Sequence, residues 1–220
     1  MTVGAMNNWT ILRHAAAVCT TLLPLQTFAQ PSDIIISGDS QTSPFFDSGE
    51  PRGQGWAEYL EQQTGIQVYN HAKSGATTRL WLTHPFSHLD CWNSTECWGV
   101  ILLGTNDSKF NFIPTSEPAQ NLKIIAQNMR AVGATRVFAL IPGDWFGFPW
   151  WTQRKQEITA AIFLECSMGT EYECGPDLRT LPPELHTWSP YFNIRTAHPT
   201  IAGHAFIGQW MVDFIQMEGQ

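Results

Sequence analysis

Basic residues are scarce and dispersed: twelve Lys and Arg stand against nineteen Asp and Glu, for a formal net charge of −7 over 220 residues. No basic run occurs, so clustered cations that would neutralise phosphates are missing and a nucleic-acid partner is not expected. Long apolar runs are missing as well. The one near the N-terminus, Ala15-Ala16-Ala17-Val18-Cys19 continuing through Leu22, Leu23 and Leu25, is broken by Pro24, and no second run follows. It is too short for a bilayer span, so stable membrane insertion is not expected either. Internal repeats, linkers and low-complexity segments are absent. With 43% hydrophobic residues, the chain suits one compact domain with an ordinary core.

The N-terminal run reads as an address label. Arg13 and His14 precede it, and Thr27-Phe28-Ala29 before Gln30 is a small-x-small cleavage pattern. A signal peptide over residues 1–29 is therefore predicted, cleaved to leave a single domain over 30–220, secreted or periplasmic. Ala16-Ala17-Val18 ahead of Cys19 is a poor lipobox. With Cys19 removed, four cysteines remain, and an even set in an exported chain points to disulfides. The close spacings favour Cys91–Cys97 and Cys166–Cys174. A rival reading, zinc held by His84, His88, Cys91 and Cys97, matches no common ligand spacing, and no metal is predicted.

Short apolar runs alternate with amphipathic stretches. Residues 33–37, 66–69, 98–103 and 136–141 read as strands. Trp56, Tyr59 and Leu60 mark a helix stopped by Gly65. Leu122, Ile125, Ala126 and Met129 mark another, ended by Gly133, and Ile158, Ala161 and Ile162 a third. Thr200 reads as the N-cap of a last helix with Ile207, Trp210, Met211 and Phe214 on its inner face. Continuous apolar strands between helices predict a three-layer α/β/α fold with a central, mostly parallel sheet, whose sites form at the carboxyl ends of the strands.

Four polar clusters fall at that edge or near it. Ser37-Gly38-Asp39-Ser40 follows the first strand, where a serine hydroxyl would be presented and Gly38 would permit a tight path. Asn70-His71-Ala72-Lys73-Ser74-Gly75-Ala76 follows the second, with a glycine N–H on offer. Gly104-Thr105-Asn106-Asp107 follows the third, where an amide can donate to a developing oxyanion. His198-Pro199-Thr200-Ile201-Ala202-Gly203-His204 precedes the last helix, where an imidazole could take the serine's proton. Each alone is an ordinary loop; together and in this order they are not.

The set resembles the SGNH, or GDSL-type, hydrolase family, through Gly38-Asp39-Ser40, Gly75, Gly104 to Asp107, and His198-Pro199 with Gly203. The resemblance spans roughly residues 34 to 214 and implies the flavodoxin-like fold of that family. It implies a serine esterase without metal or organic cofactor. On that resemblance Ser40 would be the nucleophile and His198 the base and then the acid. The N–H groups of Ser40 and Gly75 with the Asn106 side chain would form the oxyanion hole. Asp39 and Asp107 would hold loops. The family's aspartate three residues before the histidine is replaced by Arg195. Three accounts stay open: a dyad with a backbone carbonyl orienting the imidazole, which is favoured, an acid from elsewhere, or an inactive relative. His204 is read as a packing residue, His71 as a loop residue, and His84, His88 and His186 carry no motif.

Ten tryptophans point toward the substrate. Trp145, Phe148, Trp150 and Trp151 follow the fourth strand and form either a wall for a sugar or aryl group beside Ser40 or a cover for the core edge. Gly53-Gln54-Gly55-Trp56-Ala57, Asn70-His71-Ala72 and Gly75-Ala76-Thr77-Thr78-Arg79 locally resemble the carbohydrate-acetylesterase branch, such as rhamnogalacturonan acetylesterases. That implies acetyl or short-acyl esters on a polysaccharide or small molecule. The alternatives are a broad aryl-esterase or lysophospholipase-like enzyme, a non-catalytic glycan-binding relative, and an O-acetyltransferase.

Overall fold

The computed structural model describes residues 29–43, 55–86, 90–91, 94–143, 149–180, 192–193, 198–199 and 201–220. The predicted leader lies outside them except for Ala29. Five strands, β1 (Asp33–Gly38), β2 (Gln67–Asn70), β3 (Cys97–Leu102), β4 (Arg136–Ile141) and β5 (Glu173–Asp177), form one parallel sheet in the order β2-β1-β3-β4-β5. Helices α1 (Trp56–Thr64), α2 (Thr78–Trp81), α3 (Glu117–Ala131), α4 (Pro149–Ser167) and α5 (Ile201–Glu218) surround it. Just before α5, β6 (Phe192–Asn193) and β7 (His198–Pro199) make a two-residue antiparallel ladder.

The central strands carry continuous apolar stretches, Ile34-Ile35-Ile36, Val100-Ile101-Leu102 and Val137 to Ile141, because both faces of the sheet are covered. On one face Ile34, Ile36, Trp98, Val100, Leu102 and Phe138 pack with Trp56 and Leu60 of α1 and Ile207, Met211 and Ile215 of α5. On the other, Ile35, Ile101, Val137 and Ile141 pack with Leu122, Ile125 and Met129 of α3 and Ile158 and Ile162 of α4. Each such fully buried side chain contributes about 1.5–3 kcal/mol relative to exposure. The predicted three-layer α/β/α architecture is therefore the one observed.

Two features depart from the sequence reading. The edge strand β5 was not anticipated. The aromatic stretch after β4 is not all loop: Pro149, Trp150 and Trp151 open α4, while Trp145 and Phe148, like the side chains of Trp150 and Trp151, lie outside the described structure. Thr200, the expected cap of α5, lies outside it too. Both disulfides have the expected pairing, Cys91 with Cys97 and Cys166 with Cys174. The first bond leaves neither Cys91 nor Cys97 a thiolate to offer zinc. Among the described residues, no helix is long and apolar enough to cross a membrane.

Candidate active site

The strand order creates the site. From β1 the chain crosses to β2 on one side, then returns past β1 to β3 on the other. The turns leaving β1 and β3, which are adjacent and parallel in register from Asp33↔Cys97 to Gly38↔Leu102, thus lead away to opposite sides of β1, and the carboxyl ends of two such strands are where open parallel sheets form their sites. Ser40 leaves β1 there and Asn106 leaves β3.

The first turn is held by Asp39. Its backbone carbonyl accepts from the N–H groups of Thr42 (3.1 Å) and Ser43 (2.9 Å), and its Oδ1 accepts from the Gln41 N–H at 2.9 Å. These bonds curl the chain so that Ser40 sits at the apex, only 9% exposed. Gly38 is needed for close approach: a Cβ there would come within 2.6 Å of Thr42 Oγ1.

The second turn is pinned to the first. Lys73 N–H donates to Gly38 O (3.1 Å), and Ala76 N–H donates to Lys73 O (3.1 Å), closing a tight turn around Ser74 and Gly75. Gly75 has φ +73°, a region that L side chains rarely adopt, and nothing lies within 4 Å of where its Cβ would be. The restriction to glycine is therefore backbone conformation, with open space in front of it. Downstream, the buried Asp107 carboxylate accepts from Thr78 N–H (3.0 and 3.2 Å) and Thr78 Oγ1 (2.6 Å), and Asn121 of α3 donates to the same hydroxyl at 2.9 Å.

Asn106 joins the two turns. Its Nδ2 donates to Ala76 O at 3.0 Å and to Asp39 Oδ2 at 3.4 Å, and its Oδ1 accepts from Lys109 Nζ at 2.7 Å. A cation on the oxygen fixes the amide so that the nitrogen faces the turns. One amide thus touches the residue before Ser40 and the residue after Gly75. Asp39 is fully buried, and burial pushes its carboxyl up to about 6, against the Gln41 N–H and the cations Lys155 and Lys109. Burial likewise raises Asp107, opposed by the Thr78 bonds.

The structure therefore brings together the loops bearing Ser40, Gly75 and Asn106. His198 has its backbone in β7, paired with Asn193 immediately before α5; its imidazole, like Arg195, His88 and His186, lies outside the described structure. His204 is buried in α5, 2% exposed. His71 is more than a loop residue: its Nε2 lies 2.6 Å from Asp90 Oδ2. Nineteen residues and no motif separate the two, so the sequence carried no signal for the pair. Lys155, 2% exposed in α4 and facing Asp39 electrostatically, was missed for the same reason.

A family model described as GDSL-like Lipase/Acylhydrolase matches residues 36–206. Among solved structures, the chain is similar to the psychrotrophic esterase EstA from Pseudoalteromonas sp. (19% identity, 84% of this chain and 97% of that one, TM-score 0.66). It is also similar to the lipase/acylhydrolase from Enterococcus faecalis (17%, 85% and 96%, TM-score 0.62). A third likeness is to a catalytic mutant of Axe2, an acetylxylan esterase from Geobacillus stearothermophilus (17%, 86% and 96%, TM-score 0.64). At these identities the likeness is one of fold. No curated protein matches.

Proposed function

Given that the chain belongs to the GDSL-like lipase/acylhydrolase family and is a carboxylic ester hydrolase, we propose that it removes acetyl or other short acyl groups from carbohydrate esters outside the cytoplasm, through an acyl-enzyme on Ser40. The Ser40 hydroxyl attacks the ester carbonyl as His198 takes its proton. The same proton then passes to the leaving alkoxide, and a water activated by His198 releases the acid. The oxyanion is met by the N–H groups of Ser40 and Gly75 and by the Asn106 amide. That amide is shared between Ala76 and Asp39, and the longer bond, to Asp39, is the one the oxyanion would replace. With Arg195 where a carboxylate is usual, a backbone carbonyl orients the imidazole. The contact with the sugar is assigned to Trp145, Phe148, Trp150 and Trp151 from their place in the sequence after β4.

The observation that carries this reading is the Asn106 amide bonded to both turns at once. Support for a carbohydrate ester comes from the acetylxylan esterase among the similar structures, and for export from two disulfides together with the leader-like residues 1–29.

The test is a p-nitrophenyl acyl-chain series on the parent, Ser40→Ala and His198→Ala, alongside acetate release from acetylated polysaccharide. Both variants are expected to lose at least about 10³-fold in kcat/KM, and the parent to prefer acetyl over octanoyl. Full activity in Ser40→Ala overturns the mechanism; octanoyl preference overturns the substrate.

A further inference from the structure

We propose that His71 and Asp90 are a positioning pair that sets the turn carrying Gly75, and that the Cys91–Cys97 bond anchors this pair to the sheet. The inference rests on the reading of Gly75 as an oxyanion donor.

His71 is the first residue after β2, and its N–H donates to Ile36 O at 3.0 Å, continuing the ladder with β1. Two residues on, Lys73 binds Gly38 and closes the Gly75 turn, so the ring stands at the root of that turn. The ring itself is fixed on several sides. Its Nε2 is 2.6 Å from Asp90 Oδ2, whose side chain is 7% exposed. Its edges meet His84 (centroids 5.6 Å apart) and Phe86 (5.8 Å), and Phe86 stacks on Trp81 at an interplanar angle of 16°. Trp81 closes α2, the helix that Thr78 ties to Asp107. The turn is therefore clamped downstream by Asp107 and upstream by His71.

A clamp works only if its far end is fixed. Asp90 is followed by Cys91, and Cys91 is bonded to Cys97, the first residue of β3, which pairs with Asp33 of β1. A covalent path thus runs from the central sheet to the carboxylate that holds the ring. The nearly buried carboxylate, if deprived of the ring, would lose a charge-assisted bond and shift toward other donors. Displacements near 1 Å in groups that bind a transition state cost rate steeply while barely altering ground-state affinity.

The experiment compares kcat and KM of the parent, His71→Leu, His71→Gln, Asp90→Asn, the double variant His71→Leu/Asp90→Asn, the pair Cys91→Ala/Cys97→Ala, and Ser40→Ala, with near-ultraviolet circular dichroism as the check on folding. His71→Leu and Asp90→Asn are each expected to lower kcat by about 10–100-fold with KM within about threefold of the parent. The double variant should be no worse than the poorer single, His71→Gln should recover most of the rate, and Cys91→Ala/Cys97→Ala should reproduce part of the loss. Should His71→Leu fail to fold, Asp90→Asn and His71→Gln carry the comparison. Unchanged kcat in these variants while Ser40→Ala is inactive overturns the clamp and leaves the serine mechanism standing. Loss in His71→Gln as deep as in Ser40→Ala overturns a positioning role, and activity in Ser40→Ala overturns the underlying reading.

Discussion

Asn106 carries two duties through one amide nitrogen. Its amide bridges the Asp39 and Ala76 loops and is the side-chain donor of the proposed oxyanion hole. Loss of one such donor costs about 3 kcal/mol of transition-state stabilisation. Asn106→Ala is therefore expected to lower kcat by about 10²–10³-fold with little change in KM, measured by steady-state hydrolysis of an acetyl ester. Gly75→Ala meets no clash, since its Cβ would have nothing within 4 Å, yet it forces φ +73° on an L side chain, at about 1–2 kcal/mol. A small drop in melting temperature with a larger drop in kcat is expected; unchanged kinetics would remove Gly75 from the site. Residues of this kind were legible in the sequence because the chemistry demands a type: a hydroxyl, a glycine, an amide, each in the loop that follows a strand. His71 with Asp90, and Lys155 acting electrostatically on Asp39, were not, because their roles depend on distant chain segments meeting, and neither spacing nor periodicity encodes that.

Elements were legible in proportion to how far burial dictates their composition. Strands β1, β3 and β4 lie inside the sheet with both faces covered, so Ile34-Ile35-Ile36 and Val137 to Ile141 had to be apolar runs. The edge strand β5, Glu173-Cys174-Gly175-Pro176-Asp177, needs no such run: among the described residues it pairs with β4 alone, and an edge tolerates a proline that cannot donate. Its holdfast is covalent instead, through Cys174 to Cys166 near the end of α4. The beginning of α4 was similarly hidden, because Trp150-Trp151 carries no helical period of its own. Cys166→Ala/Cys174→Ala is expected to cost about 2–3 kcal/mol of stability, the loop-closure value for so short a span. Chemical denaturation of oxidised parent and variant checks it. Equal stabilities would mean that the register of β5 with β4 alone holds the edge.

At the scale of the whole molecule, the acidic net charge of −7 conceals a carboxylate that folding prefers neutral. Asp39 is fully buried and its pKa rises from 3.8 to about 6. A carboxyl whose pKa is raised by folding binds its proton more tightly in the native state. Its contribution is most favourable below pH 4, where both states are protonated, and declines as pH rises through 6, where the native state must carry the buried charge. At 1.36 kcal/mol per unit, that decline is at most about 3 kcal/mol, with the Gln41 N–H, Lys155 and Lys109 already opposing it. Asp39→Asn keeps the shape and removes the titration. Denaturant melts of parent and variant at pH 4, 5, 6 and 7 should therefore diverge, with the variant gaining stability relative to the parent across pH 4–6. Parallel curves would mean that the cations around Asp39 compensate its charge in full, so that the turn beneath Ser40 costs the fold nothing at neutral pH.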